Sequence, residues 1–159
     1  MEFVKKGVLR KSLKDLELQT FESICSELTI NKEKYCLISF YRTERNESKM
    51  QNINCFFQEL STFMNKIVGK YENIVLMGDI NIDSHDKKSP GYKNLEDFKE
   101  QFGLFNLIKD KTCFFKDHES SIDIILTNKP NKYKNSFSFE LGISDCHKMI
   151  GTHLKTTIP

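Results

Sequence analysis

Polar residues spaced two apart follow an apolar run near the middle of the chain. Residues 74–77 are apolar, Gly78 ends the run, and Asp79, Asn81 and Asp83 come next. A carboxylate can accept a proton or hold a cation, and a carboxamide can donate hydrogen bonds to an anionic oxygen. Because side chains of an extended segment alternate, we expect Asp79 and Asn81 to point the same way, just past a buried strand. The alternative is a strand followed by an ordinary Asx-type turn.

Two further groups of polar residues lie later in the chain. Asp123 interrupts an apolar stretch, and a loop near the end of the chain contains Asp145, Cys146 and His147. A buried carboxylate without a partner is costly, so Asp123 needs a hydrogen-bond or ionic partner. We expect that partner to be His147, because a carboxylate can fix the tautomer of an imidazole. The alternatives are an Asp at a strand edge facing water and a surface His.

An amphipathic helix and a buried strand position the first group. Apolar residues recur at spacings of three and four over residues 52–70, which predicts a helix, and the strand at 73–77 follows it. A second helix is predicted over Tyr92–Phe102, with Gly103 as its stop. Strands 21–30 and 35–41 form a predicted hairpin.

The rest of the chain predicts short strands and loops. A short strand and a basic loop are expected over residues 1–20, a turn over 116–119 and a loop over 128–135. Further extended segments are predicted at 104–108, 112–115, 120–127, 137–141 and 149–154.

Composition limits the class of protein. A chain of 159 residues with 38% hydrophobic and 29% charged residues predicts one folded domain, here 1–159. The net charge of +2 gives no overall case for a polyanion partner. Five cysteines without a C-x-x-C pair favour reduced thiols and an intracellular location, nuclear or cytoplasmic. No segment predicts a signal peptide or membrane span, so no membrane partner is expected.

In this order, the motifs resemble the endonuclease/exonuclease/phosphatase superfamily, the metal-dependent phosphodiesterase fold of deoxyribonuclease I and apurinic endonucleases. In detail they resemble the endonuclease domain of non-LTR retrotransposons. Gly78-Asp79-x-Asn81 matches the GD-x-N signature, Ile122-Asp123 matches a late Ile-Asp strand signature, and Ser144-Asp145 matches part of a Ser-Asp-His. The resemblance runs from about Phe3 to Thr156. It implies an α/β fold, a two-sheet sandwich flanked by helices in four layers.

The resemblance also implies a mechanism in which a divalent cation polarises a phosphodiester while water attacks in line. Asp79 would orient or deprotonate the water, and Asn81 would hydrogen-bond the phosphate. His147, paired with Asp123, would stabilise the negative oxygens. Tyr41, which resembles the Tyr of the family's Tyr-x-Pro-Asn segment, would contact the phosphate.

The implied cofactor is Mg²⁺ or Mn²⁺, with Asp145 and Asp79 as its ligands. The implied substrate is DNA, and a reverse transcriptase domain is expected to be encoded downstream in the parent element. Oligomeric state is not indicated. Five lysines can either contact DNA phosphates or remain solvated, namely Lys87, Lys88, Lys93, Lys132 and Lys134.

Two features depart from the family pattern. The family's first strands, which supply an Asn and a metal-binding Glu, have no counterpart in the sequence, so a partial domain with impaired activity and one uncovered sheet edge is expected. Cys146 stands where the family has its catalytic His. A shift of one residue in an extended segment would turn His147 to the other face unless the loop bulges.

Three functions follow. The first is a DNA endonuclease of the non-LTR retrotransposon type, as a fragment with impaired activity. The second is a degenerate, non-catalytic remnant that binds nucleic acid weakly or not at all. The third is a phosphatase of the same superfamily.

Overall fold

The structure is a computed structural model that describes residues 8–43, 48–140, 142 and 146–155. Its elements, in chain order, are β1 (Leu9–Ser12), β2 (Glu22–Ile30), β3 (Glu33–Tyr41), α1 (Lys49–Ile67), β4 (Asn73–Asp79), α2 (Tyr92–Phe102), β5 (Phe105–Asn106), β6 (Cys113–Phe115), β7 (His118–Ser120), β8 (Asp123–Thr127), β9 (Tyr133–Phe139) and β10 (Met149–Leu154). Short 3-10 turns at Lys14–Leu16 and Pro130–Lys132 complete them.

A mixed sheet with the order β1-β2-β3-β4-β8-β5 forms the centre of the molecule. Helix α1 connects β3 to β4, and these two strands run parallel, with Tyr41 opposite Asp79. Strand β8 lies on the other side of β4 and runs antiparallel to it, with Asp79 opposite Asp123. Asp79 and Asp123 therefore lie at the same end of the sheet.

Helix α1 packs its apolar stripe on one face of this sheet. Its first turn is capped by Ser48, whose Oγ accepts a hydrogen bond from the backbone N–H of Gln51. Phe56 is fully buried, and its ring makes edge contacts with Phe21 and Phe40. Helix α2 adds Leu95 and Phe98 to the same cluster. The larger core thus lies between the helices and the main sheet.

A smaller core lies on the opposite face of the sheet. Val75 and Ile125 are buried there with Ile108, and Tyr133 and Ile150 from β9 and β10 pack against them. Strands β9 and β10 pair in one antiparallel hairpin, and β6 and β7 in another. The expected α/β class is confirmed: helices cover one face of a mixed sheet, and further strands pack on its other face.

The strand and helix boundaries differ from the sequence predictions in a few places. Helix α1 begins at Lys49 rather than at 52, because Ser48 caps it. The predicted strand at 120–127 is two strands, since β7 ends at Ser120 and β8 begins at Asp123. Asp123 is therefore the first residue of β8 rather than an interruption within a strand. Strand β9 begins at Tyr133, four residues before its predicted start at 137.

None of the helices within the described ranges is both long enough and apolar enough to cross a membrane.

Candidate active site

Asp79 and Asp123 lie side by side at one end of the main sheet. Directly opposed residues on neighbouring strands project to the same face, and residues two apart on one strand share a face. Asp79 shares the face of Val75, and Asp123 that of Ile125, so both carboxylates lie on the side of the smaller core, away from α1 and α2. Both side chains are partly exposed. The sheet thus presents a carboxylate pair at the end of its two central strands.

His147 completes this group. Its Nδ1 lies 3.3 Å from Oδ2 of Asp123, and the side chains are 35% and 15% exposed, respectively. The shift of one residue does not turn His147 away from Asp123, because the chain bends at Cys146, which meets the stated condition that the loop departs from an extended course. The expected partnership of Asp123 with His147 is therefore present in the structure.

Backbone hydrogen bonds hold His147 in this position. His147 pairs with Cys113 across an antiparallel bridge, in which Phe114 donates its N–H to the carbonyl of Cys146 (2.8 Å) and Lys148 donates to that of Thr112 (2.7 Å). Thr112 also accepts hydrogen bonds on its Oγ1 from the N–H groups of Ile122 (3.2 Å) and Asp123 (3.1 Å). The segment at 112–114 therefore positions both His147 and Asp123.

The surroundings of Asp79 suit it to accept a proton. Burial raises the pKa of the Asp79 carboxyl above its ordinary value, and the nearby carboxylate of Asp123 acts in the same direction. The N–H of Asn81, which donates to Asp79 Oδ1 (2.8 Å), opposes that shift, as do the neighbouring side chains of His147 and Arg42. A carboxylate whose pKa is raised is a stronger base.

Asn81 follows β4 in a turn rather than in an extended segment. Its φ is 48°, and its N–H bonds the side chain of Asp79, which is the geometry of an Asx turn. The alternation argument, which placed Asp79 and Asn81 on the same face, does not apply to this conformation. Asn81 Nδ2 donates one hydrogen bond to the carbonyl of Arg42 (2.9 Å), and its second N–H can serve another acceptor.

Hydrogen bonds from Arg42 stabilise the turn at Asn81. Its guanidinium is fully buried and donates to the carbonyls of Ile80 (2.6 Å) and Asn81 (3.1 Å) and to Oδ1 of Asn52 on α1. Asn52 in turn donates to the carbonyl of Thr43 (3.2 Å). Arg42 therefore ties the end of β3, the start of α1 and the turn after β4 together.

The supporting residues Arg42, Asn52, Thr112 and Cys113 are not among the predicted site residues. Asn52 gave a signal, because it is a polar residue at a buried position of the helical stripe and so required partners. Thr112 and Cys113 gave none, since their contacts join segments far apart in sequence.

The remaining predicted residues lie in different places. Tyr41 is the last residue of β3, opposite Asp79, and is 42% exposed. Asp145, the other predicted metal ligand, lies outside the described residues. Among the lysines, Lys132 donates to Glu33 (2.8 Å) and lies over the ring of Tyr35, at the end of β3 away from Asp79. Lys132 is therefore badly placed to hold a phosphate near the carboxylates.

The carboxylate pair and His147 form a group that can hold a divalent cation. One ligand atom from each of Asp79, Asp123 and His147 lies within 4.8 Å of the other two. Mg²⁺ is commonly held by one or two carboxylates while it keeps several waters. The two carboxylates therefore fit a hard cation of this kind.

Comparison with known proteins places the chain in a family. The family described as endonuclease-reverse transcriptase matches residues 35–150, which contain Asp79, Asn81, Asp123 and His147. The chain belongs to the endonuclease-reverse transcriptase family. It is thus a member of the endonuclease/exonuclease/phosphatase superfamily, whose nucleases generally use divalent metals. A comparison with curated protein sequences gave no match.

Solved structures of the superfamily share the fold. The endonuclease domain of TRAS1, a telomere-specific non-LTR retrotransposon, has a TM-score of 0.75 at 13% identity, over 97% of this chain and 72% of that one. The 3′ phosphatase NExo from Neisseria, bound to a product DNA hairpin, has a TM-score of 0.67 at 14% identity, over 96% of this chain and 72% of that one. An endonuclease/exonuclease/phosphatase family protein from Leptotrichia buccalis has a TM-score of 0.63 at 19% identity, over 84% of this chain and 53% of that one. At such identities these similarities show only that the chain has the fold of the superfamily.

Proposed function

We propose that the chain is a metal-dependent phosphodiesterase domain that nicks DNA, of the non-LTR retrotransposon endonuclease type. The observation that carries the proposal is the meeting of Asp79, Asp123 and His147 within 4.8 Å, from three separate segments. The family match and the fold shared with the TRAS1 endonuclease domain support the substrate class.

Each described residue of the site has a task in this proposal. Asp79, whose pKa is raised by burial, accepts a proton from the attacking water. Asn81 donates its second amide N–H to a phosphate oxygen, and Tyr41 contacts the phosphate from the end of β3. His147, oriented by Asp123, donates a hydrogen bond to an oxygen that gains negative charge.

Asp79 and Asp145 would hold the divalent ion, and Mg²⁺ or Mn²⁺ is the proposed cofactor. When bound, the ion supplies positive charge that neutralises the phosphate. A reverse transcriptase encoded downstream and an intracellular location, nuclear or cytoplasmic, belong to the same proposal.

A plasmid-nicking assay tests the proposal. Purified protein should convert supercoiled DNA to the nicked form with Mg²⁺ or Mn²⁺ and lose this activity in a chelator. Asp79→Asn should reduce the rate by about 100-fold or more, which is the usual contribution of a positioned acid–base group. The control is Asp97→Asn, an exposed carboxylate on α2, on the other side of the main sheet, which should leave the rate unchanged.

Two other results would replace the proposal. Release of phosphate from a 3′-phosphorylated oligonucleotide without nicking would favour the phosphatase, the activity named for the NExo relative. A blank in both assays from protein that is folded by circular dichroism would favour the degenerate, non-catalytic domain. Equal nicking by Asp79→Asn and wild type would show that the activity does not come from this site.

A further inference from the structure

A second group of possible metal ligands adjoins the carboxylate pair. One ligand atom each from Cys113, Cys146 and His147 lies within 4.8 Å of the other two. The proposed nuclease chemistry uses neither thiol. Neither cysteine forms a disulfide, Cys113 is buried, and Cys146 and His147 are partly exposed, so an ion has a path in from solvent.

Backbone hydrogen bonds hold this group together, so it is not a chance approach of surface side chains. The two hydrogen bonds that flank the pair of Cys113 and His147 make it a non-hydrogen-bonded antiparallel pair, the kind in which opposed side chains approach most closely. Cys113 also begins β6, which pairs with β7. The bend at Cys146 brings the second thiol to the same place.

The ligand types differ from those of the carboxylate group. Thiolates and imidazole select soft or borderline ions such as Zn²⁺, whereas carboxylates select Mg²⁺. Zn–S bonds of about 2.3 Å and Zn–N bonds of about 2.0 Å place tetrahedral ligand atoms roughly 3.5–3.8 Å apart. Because the three atoms lie within 4.8 Å of one another, side-chain shifts of roughly 1 Å or less would bring them to that spacing.

Asp123 adds the support that metal-binding histidines usually have. A hydrogen bond from His147 Nδ1 to Asp123 Oδ2, 3.3 Å away, leaves Nε2 as the nitrogen that can bind a metal. The arrangement of carboxylate, imidazole and metal is common in zinc proteins, where the carboxylate fixes the tautomer and raises the basicity of the imidazole.

We propose that Cys113, Cys146 and His147 form a binding site for a thiophilic divalent cation such as Zn²⁺. This site adjoins the group of Asp79, Asp123 and His147, and His147 belongs to both. Each cysteine releases its thiol proton to solvent as its Zn–S bond forms, so binding releases two protons. The fourth position is left to water, as in zinc sites with three protein ligands.

The binding experiment uses the full, reduced chain after treatment with a chelator, and Co²⁺ and Zn²⁺ as probes. Co²⁺ should give the near-ultraviolet charge-transfer absorption of a thiolate complex, and one equivalent of Zn²⁺ should remove it. Cys146→Ser should abolish this absorption and weaken Zn²⁺ binding by more than about 100-fold, beyond what loss of a supporting partner costs. Asp123→Asn should weaken binding by about 10–100-fold and keep the absorption.

Cys55→Ser is the matched control, because Cys55 is a partly exposed thiol on α1 that contacts Glu59 instead. It should bind both metals as the wild type does. Since Cys113 is buried, Cys113→Ala is used only if its circular dichroism and Tm match those of the wild type. Metal binding without thiolate absorption, or equal loss in Cys55→Ser and Cys146→Ser, would overturn the proposal.

The consequence for catalysis rests on the proposed function. A Zn²⁺ ion on His147 would deprive the phosphodiester site of that imidazole, so Zn²⁺ should inhibit Mg²⁺-dependent nicking in wild type and not in Cys146→Ser. The spectroscopic result decides the metal site even if the chain nicks no DNA. Equal inhibition of both proteins would overturn the link between the two groups.

Discussion

At the scale of single residues, Asp123 owes its position to one hydroxyl group. Thr112 is fully buried, and its Oγ1 accepts hydrogen bonds from the N–H groups of Ile122 and Asp123. Ile122 is the residue before β8, and Asp123 is the first residue of that strand. Thr112 therefore acts on the site without belonging to the reacting group.

Thr112→Val keeps the shape of the side chain and removes the acceptor. Two N–H groups would then lack a partner, and we expect a loss of about 2–3 kcal/mol in the free energy of unfolding. Nicking should fall as well, because the start of β8 carries Asp123. Urea unfolding and plasmid nicking measure the two effects. Thr112→Ser, which keeps the hydroxyl, should lie close to wild type in both, and similar losses in Ser and Val variants would contradict this account.

Residue types predicted part of the site. Asp79, Asp123 and His147 were expected to meet, from the cost of an unpaired carboxylate and from the order of the motifs, and the structure brings them together. Of the two interpretations of the stretch after β4, the Asx-type turn is the one that the structure shows, because the N–H of Asn81 bonds the side chain of Asp79. Cys113 was invisible, since its pairing with His147 joins segments distant in sequence.

At the scale of elements, the approach of β3 to β4 sets the end of the central strands. Gly78 lies opposite Phe40 in the parallel pair. A Cβ built at Gly78 would lie 1.9 Å from the carbonyl oxygen of Phe40 and 2.8 Å from its ring. Only glycine allows β3 to run this close to the residue before Asp79.

Gly78→Ala should therefore push the two strands apart. Overpacking of a well-filled site costs about 1–3 kcal/mol, and a backbone clash belongs at or above the top of that range. Thermal unfolding followed by circular dichroism measures the loss. Gly69→Ala is the comparison, because its Cβ would meet no atom within 4 Å and the variant bears only the strain of its positive φ. Equal losses from both substitutions would show that the strand contact is unimportant.

The loop after β4 is held by one ionised side chain. Asp83 accepts hydrogen bonds from the N–H groups of His85 (3.0 Å) and Ser121 (3.2 Å) and from the ammonium of Lys111 (3.3 Å). Burial alone would raise the pKa of Asp83, but these donors and the Lys111 charge lower it overall. Asp83 thereby joins the loop to the segment that leads into β8.

This pKa shift predicts how stability depends on pH. Since the pKa of Asp83 is lower in the folded than in the unfolded protein, its contribution is complete above the unfolded value and is lost as the pH falls through the folded value. Asp83→Asn should lower the free energy of unfolding by about 1–2 kcal/mol at pH 7, and less in acid. Urea unfolding from about pH 7 to pH 3 tests this. A difference between wild type and variant that stays constant with pH would contradict it.

Sequence patterns predicted some elements better than others. The bounds Tyr92–Phe102 and the stop at Gly103 are confirmed, because apolar spacing and a left-handed glycine act locally. The first turn of α1 was missed although Ser48 and Gln51 form a Ser-x-x-Gln capping signal. Residues 118 and 119 of β7 were predicted as part of a turn, since these exposed polar residues form a strand only by pairing with β6.

At the scale of the whole molecule, the two faces of the main sheet differ in what packs on them and in where the carboxylates lie. The face under α1 and α2 carries the larger core, and the face towards β9 and β10 carries the carboxylates. The superfamily fold could be predicted because its motifs occur in order along the chain. The joint placement of Asp123 and His147 depends on β6, whose role no local pattern revealed.

A double-mutant cycle on Asp123 and His147, measured by Mg²⁺-dependent plasmid nicking, tests the central claim most directly. Asp123 is proposed to act only by orienting His147, 3.3 Å away. We therefore predict that Asp123→Ala and His147→Ala each reduce the nicking rate by roughly 10²–10⁴-fold and that the double variant is no slower than the slower single variant. Losses that multiply in the double variant, or a single variant that nicks as fast as wild type, would contradict the account.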